Sequence, residues 1–157
     1  MNFLDVLNTR AGEIEKPKSL PVGTYCWKVN KAHKEGTAGQ GAWNTVEIPI
    51  IPFASHEASN DVDQEELAAF GSLNSAANTI RFMFSTDPAK SGDVERTAYQ
   101  LKKFLLDVLR VDGDDDSTIK ELLARAVGCE FVAQAHHRVD GERDTTFVDV
   151  KNWMPME

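Results

Sequence analysis

Three alternating apolar stretches, a long helical stretch, and two more alternating stretches follow one another along this chain. That order constrains the fold more than any single motif does. Residues 22–31 place Tyr25, Trp27 and Val29 on one face and Cys26, Lys28 and Asn30 on the other, the period-two pattern of a strand. Residues 43–53 repeat the pattern, with Val46, Ile48 and Ile50 expected inward and Trp43, Thr45 and Glu47 outward. Pro49 and Pro52 assign the far half of that strand to an edge or a bulge, because proline cannot donate to a ladder. Residues 79–85 alternate Ile80, Phe82 and Phe84 with Arg81 and Met83.

Residues 93–110 then carry Val94, Leu101, Phe104, Leu105, Val108 and Leu109 along one helical stripe. A second helix is expected over residues 117–127, with Thr118 and Glu121 at capping-box spacing and Gly128 as its left-handed terminator. Residues 129–139 and 145–153 are the last two strands, joined by a turn at Asp140, Gly141 and Glu142.

The intervening segments are weaker. Residues 1–19 read as an N-terminal segment in which Phe3, Leu4 and Leu7 share a face, before KPKSLP breaks the pattern. Residues 35–42, EGTAGQGA, read as a glycine-rich loop. Residues 54–78 read as an insertion with a short helix, DVDQEELAAFGSL, capped by Asn60 or Asp61. A chain of 157 residues that is 41% hydrophobic can bury one core, so residues 20–157 are expected to form one domain. The expected fold is mainly β with inserted helices. Five strands with a helix between the third and fourth give the topology of a five-stranded OB-fold barrel.

Charge narrows the function. The net charge of -8 argues against a generic nucleic-acid binder, yet the charges are segregated. Residues 16–52 hold five Lys/Arg against two Asp/Glu, and residues 79–111 hold six against four. Residues 53–78 hold no Lys/Arg and five acids, and residues 112–130 hold two against six. That alternation permits a basic groove on an acidic body. No apolar run reaches the ~18 residues of a membrane span, and the N-terminus has no signal-peptide pattern. With Cys26 and Cys129 as buried thiols rather than a disulfide, a cytoplasmic protein is expected.

Catalysis and metal binding find little support. There is no P-loop, no GxSxG and no HExxH, so no enzyme is expected. Cys26 with His33 and Cys129 with His136 share a seven-residue spacing, but an odd offset on a strand puts the two groups on opposite faces. The acidic run Asp112, Asp114, Asp115 and Asp116 lacks the twelve-residue calcium pattern and suits a helix boundary better. No cofactor and no metal are expected.

The segment LPVGTYCWKVNKAHK combines aromatics and lysines in an otherwise acidic chain. Bases stack on rings and ammonium groups track phosphates, so such a strand suits a single-stranded nucleic acid. The candidate contact residues are Trp27, Lys28, Lys31, Lys34, Trp43, Arg81, Arg138, Arg143 and Trp153. Tyr25 is expected in the core. Trp27 and Trp153 stay open between core and stacking platform, and Trp43 is expected on the exposed face beside the glycine-rich loop. The cations are open between a phosphate path and an ordinary solvated face.

A resemblance adds to this. LPVGTYCWKVNKAHKEGTAGQGAWNTVEIPIIP, the helix ERTAYQLKKFLLDVL, and STIKELLARAVGCEFVAQAHHRVDGE followed by TFVDVKNWMP resemble bacteriophage single-stranded-DNA-binding proteins of the OB-fold type. In that group a PxGxY strand opens the barrel, which Pro21, Gly23 and Tyr25 match. A passage of the form LL…GxxFxAxV leads into strand four, which Leu122, Leu123, Gly128, Phe131 and Ala133 match. The likeness spans roughly residues 20–155 and is spread thinly. It implies a protein that coats single-stranded DNA in phage replication or recombination. It also implies phage or host replication proteins as partners, and a homodimer or a cooperative array on the strand. Many single-strand binders end in an acidic tail that recruits partners; this chain ends KNWMPME, so tail-mediated recruitment is not expected. The competing expectation is an OB-like module of the same kind of complex that binds protein and not DNA.

Overall fold

The computed structural model describes residues 2–157. Its strands are β1 (Gly23–Val29), β2 (Lys34–Ala38), β3 (Trp43–Ser55), β4 (Asn78–Ser85), β5 (Glu130–Asp140) and β6 (Thr145–Pro155). Its helices are α1 (Phe3–Asn8), α2 (Gln64–Phe70), α3 (Ser91–Lys103) and α4 (Ile119–Ala124). The fold is mainly β: a six-stranded antiparallel sheet with helices inserted.

β3 organises the sheet. Its first half pairs with β2 on one side and β4 on the other, and its second half pairs with β1. β1 then pairs with β5, and β5 with β6. β4 and β6 are therefore edges, as is the short β2, and β4 and β6 lie next to each other. Asn78 meets Val148 and Phe82 meets Trp153, so the edges run in the same direction, but no ladder joins them. The sheet curls without closing.

The inward face follows from alternation. Tyr25, Trp27, Val29, Ile48, Ile50, Ile80, Phe82 and Phe131 are all buried. Leu101, Phe104, Leu105, Leu122 and Leu123 fill the space beneath the sheet. The chain continues from α3 through a π-helical turn, Phe104–Val108, which keeps Phe104, Leu105 and Leu109 all buried. Burial pushes the Tyr25 phenol up to about 12, helped by the nearby negative charges of Asp61 and Glu66. Its hydroxyl donates to the Pro21 carbonyl at 2.8 Å.

Several local expectations need correction. The glycine-rich stretch is not all loop: Lys34–Ala38 forms β2 against β3. Only the tip needs special backbone, with Gly39, Gln40 and Gly41 all at positive φ. Asp63, not Asn60 or Asp61, caps α2. Asp61 instead accepts from the Thr24 N–H at 2.8 Å and the Thr24 hydroxyl at 2.7 Å, tying the insertion to β1. Partial burial alone pushes the Asp61 carboxyl up, but these bonds and the charge of His56 outweigh it and hold the carboxyl low. Thr45 points outward by parity yet is buried, because β2 lies close against it at Gly36.

Other expectations match. Pro52 lies opposite Trp27, where the β1–β3 register shifts, a position that tolerates a missing donor. Thr118 and Glu121 form the capping box of α4. Gly128 takes a φ of +88° as expected, but in the turn before β5 and not as the terminator of α4, which ends at Ala124 with Arg125 as its C-cap. Cys26 is a buried free thiol as expected, whereas the free Cys129 is only half-buried; burial pushes both thiols up.

Candidate nucleic-acid interface

The outward face of β2, β3 and β4 is built in rows across three strands. Lys34, Glu47 and Arg81 form one row, Gly36, Thr45 and Met83 the next, and Ala38, Trp43 and Ser85 the third. The Arg81 guanidinium forms an ion pair with the Glu47 carboxylate, 2.8 Å between nitrogen and oxygen. Trp43 lies four residues along β3 from Glu47, about 13 Å at the ~3.3 Å rise of a strand. Its half-buried ring rests against Gly39 of the hairpin tip.

Two openings lie beside the first row. One, of about 210 Å³, is bordered by Asn30, Lys31, Lys34, Glu47, Pro49 and Thr79. The other, of about 270 Å³, lies over the β4–β6 seam, where Thr79, Arg81, Asp149, Lys151 and Trp153 are among its lining residues. Thr79 borders both, so the openings adjoin each other on the surface. Lys31, Lys34, Arg81 and Lys151 thus share one path over the surface. Lys31, Lys34 and Lys151 form no ion pair among the described residues. The two acids on the path are already engaged, Glu47 by Arg81 and Asp149 by Arg138.

The remaining candidates separate. Trp27 is not a platform: it is fully buried, and its indole N–H donates to the Ala133 carbonyl at 3.2 Å. It shares a face with Tyr25 and Val29, and that face is the core. Trp153 packs on Phe104 at 5.0 Å and Phe82 at 5.7 Å and donates to the Val150 carbonyl. Its half-buried ring closes the core and floors the seam opening. Lys28 is exposed between Ile51 and Glu130 in the ladder and borders neither opening. Arg138 pairs with Asp149 at 3.1 Å and lies 4.7 Å over the Phe147 ring. Arg143 pairs with Asp140 at 3.5 Å. Both arginines therefore sit at the β5–β6 hairpin with acids beside them.

Lys151 and Thr79 were not singled out from the sequence. Lys151 is 120 positions from Lys31 and reaches the path only because β6 lies beside β4. Among the described residues, no three His, Cys, Asp or Glu side chains gather as a metal ion requires. No helix among them is long and apolar enough to cross a membrane. No protein-family model matches the chain, and no curated protein is similar to it.

Proposed function

We propose that this protein binds single-stranded DNA without catalysis, along the path formed by Lys31, Lys34, Arg81 and Lys151, with Trp43 as the stacking ring at one end. The observation that carries the reading is the convergence of four cations from β2, β4, β6 and the β1–β2 connection on two adjoining openings, in a chain of net charge -8. Cations concentrated on one path of an acidic body attract a phosphate chain locally.

The strand order supports an OB-fold for the sheet. Without β2, the order is β4-β3-β1-β5-β6, with the two ends side by side. That fold presents the face of its second and third strands, here β3 and β4, to oligonucleotides. Its flanking loops correspond to the β2 hairpin and the β5–β6 turn. Coating of exposed strands in phage replication or recombination is the role that follows from the family resemblance.

The test is a titration with a fluorescent oligo-dT of about 30 nucleotides at two salt concentrations, with duplex DNA and Mg²⁺ as controls. Tight, salt-sensitive binding with far weaker duplex binding is the expected result. A probe that does not bind at low salt overturns the reading. A second reading, a protein-interaction module, draws on α1, where Phe3, Leu4 and Leu7 are all exposed. It predicts no binding to the oligonucleotide at ~150 mM salt and a protein partner that α1 captures.

A further inference from the structure

Glu47 occupies the centre of the cationic row. Its register neighbours are Lys34 on β2 and Arg81 on β4, and its carboxylate forms an ion pair with the Arg81 guanidinium at 2.8 Å. It also borders the opening that holds Lys31 and Lys34, where it is the one acid among the lining residues. Its side chain is 29% exposed, so it faces an approaching ligand and is not sealed beneath the row. A carboxylate bonded to a guanidinium in this way presents the charge and acceptor geometry of a phosphate.

We propose that the Lys34–Arg81 row is a phosphodiester subsite whose resident anion in the free protein is the Glu47 carboxylate. This rests on the DNA-binding reading and deepens it. A strand entering the path exchanges one anion for another: its phosphate takes the donors of Arg81 and the charge of Lys34, and Glu47 turns towards solvent. No covalent change is involved. The exchange has two consequences. Part of each phosphate contact is offset by the lost carboxylate contact, which lowers affinity and makes release easier. The site also favours a chain of phosphates over a single one, because only a chain engages Lys31 and Lys151 while it displaces Glu47.

The experiment compares the unmodified protein, E47Q and E95Q in oligo-dT titrations at several salt concentrations. Glu95 lies on α3, outside both openings, so E95Q measures the generic effect of removing one acid. An exposed ion pair is worth roughly 0.2–1 kcal/mol, so E47Q should tighten binding by a factor of about 1.4 to 5. In E47Q no carboxylate is released to take up a counterion when the phosphate binds, so the salt slope should also steepen, by less than the ~0.7 of one phosphate contact. E95Q should leave the slope unaltered. Binding by E47Q that equals the E95Q variant in affinity and slope, or falls below the unmodified protein, overturns this inference alone. Absence of binding by the unmodified protein overturns the DNA-binding reading and this inference with it. Circular dichroism and urea unfolding of E47Q confirm that the sheet is retained before the comparison is made.

Discussion

The side-chain amide of Asn78 donates to the main-chain carbonyl of Val148 at 2.8 Å and so ties two edges of the sheet together. β4 and β6 otherwise share no ladder, and the aromatic contact of Phe82 with Trp153 closes the rest of the seam. The Asn78 carbonyl oxygen accepts from the N–H of Thr79, which fixes the side chain in place. The residue next to this tie, Thr79, is the one that joins the two openings.

Removing the tie should loosen the seam. N78A leaves the Val148 carbonyl without its donor, at a cost of about 1–2 kcal/mol. Urea unfolding should show the loss. Hydrogen exchange should rise first along the facing edges of β4 and β6. Equal stability and unchanged exchange would mean that the aromatic contacts alone hold the seam.

Trp27 and Trp43 should respond in opposite ways to truncation. Trp27 is fully buried, so W27A should cost about 3–5 kcal/mol of stability. Trp43 is half-buried on the outward face, so W43A should cost less stability but weaken oligonucleotide binding by about 1–3 kcal/mol. The paired measurements are urea unfolding and oligo-dT titration. Retained DNA affinity in W43A would remove the ring from the interface.

Much of the sheet was legible because burial and alternation coincide. The runs around Trp27, Ile48 and Phe82 each set large apolar residues two apart, Phe131 is followed at the same spacing by Ala133 and Ala135, and each became a strand. β2 was not legible. Its sequence KEGTA buries no apolar face, and only its main-chain pairing with β3 makes it a strand. The role of Trp27 was left open because tryptophan suits both core and interface, although its shared face with Tyr25 and Val29 already pointed inward. The cationic path was half legible. Lys31 and Lys34 stand close in sequence, whereas Lys151 joins them only through the β4–β6 seam, a long-range feature that periodicity does not encode. At Arg138 and Arg143 the sequence already shows Asp140, Glu142 and Asp144 diluting the charge; the pairing of Arg138 with Asp149 across β5 and β6 comes only from the fold.

Tyr25 should make the alkaline limb of stability steep. Its phenol is raised to about 12 in the folded chain, against about 10 when unfolded. The folded state therefore holds the proton more tightly. The stabilisation is complete below pH ~10 and is lost as pH rises from about 10 towards 12, on the order of 2 kcal/mol in all. Tyr99 is the other tyrosine, so in Y99F the phenolate absorbance reports Tyr25 alone. That absorbance should appear near pH 12 or on unfolding, whichever comes first. Ionisation near pH 10 in the folded protein would contradict the buried placement.

The cations on the path should differ from those off it in their salt dependence. Each phosphate contact contributes about 0.7 to the salt slope on single-stranded DNA. K31A and K151A should each reduce the slope by about that amount and weaken binding at low salt, and the double variant should lose about twice as much. Lys28 lies in the same sequence segment as Lys31, but it borders neither opening. K28A should therefore keep the slope of the unmodified protein. R143A should change it little, because Asp140 already neutralises that guanidinium. Oligo-dT titrations across a salt series check all five variants. A slope that falls equally in K28A and K31A would mean that the strand follows the general field of the surface and not this path.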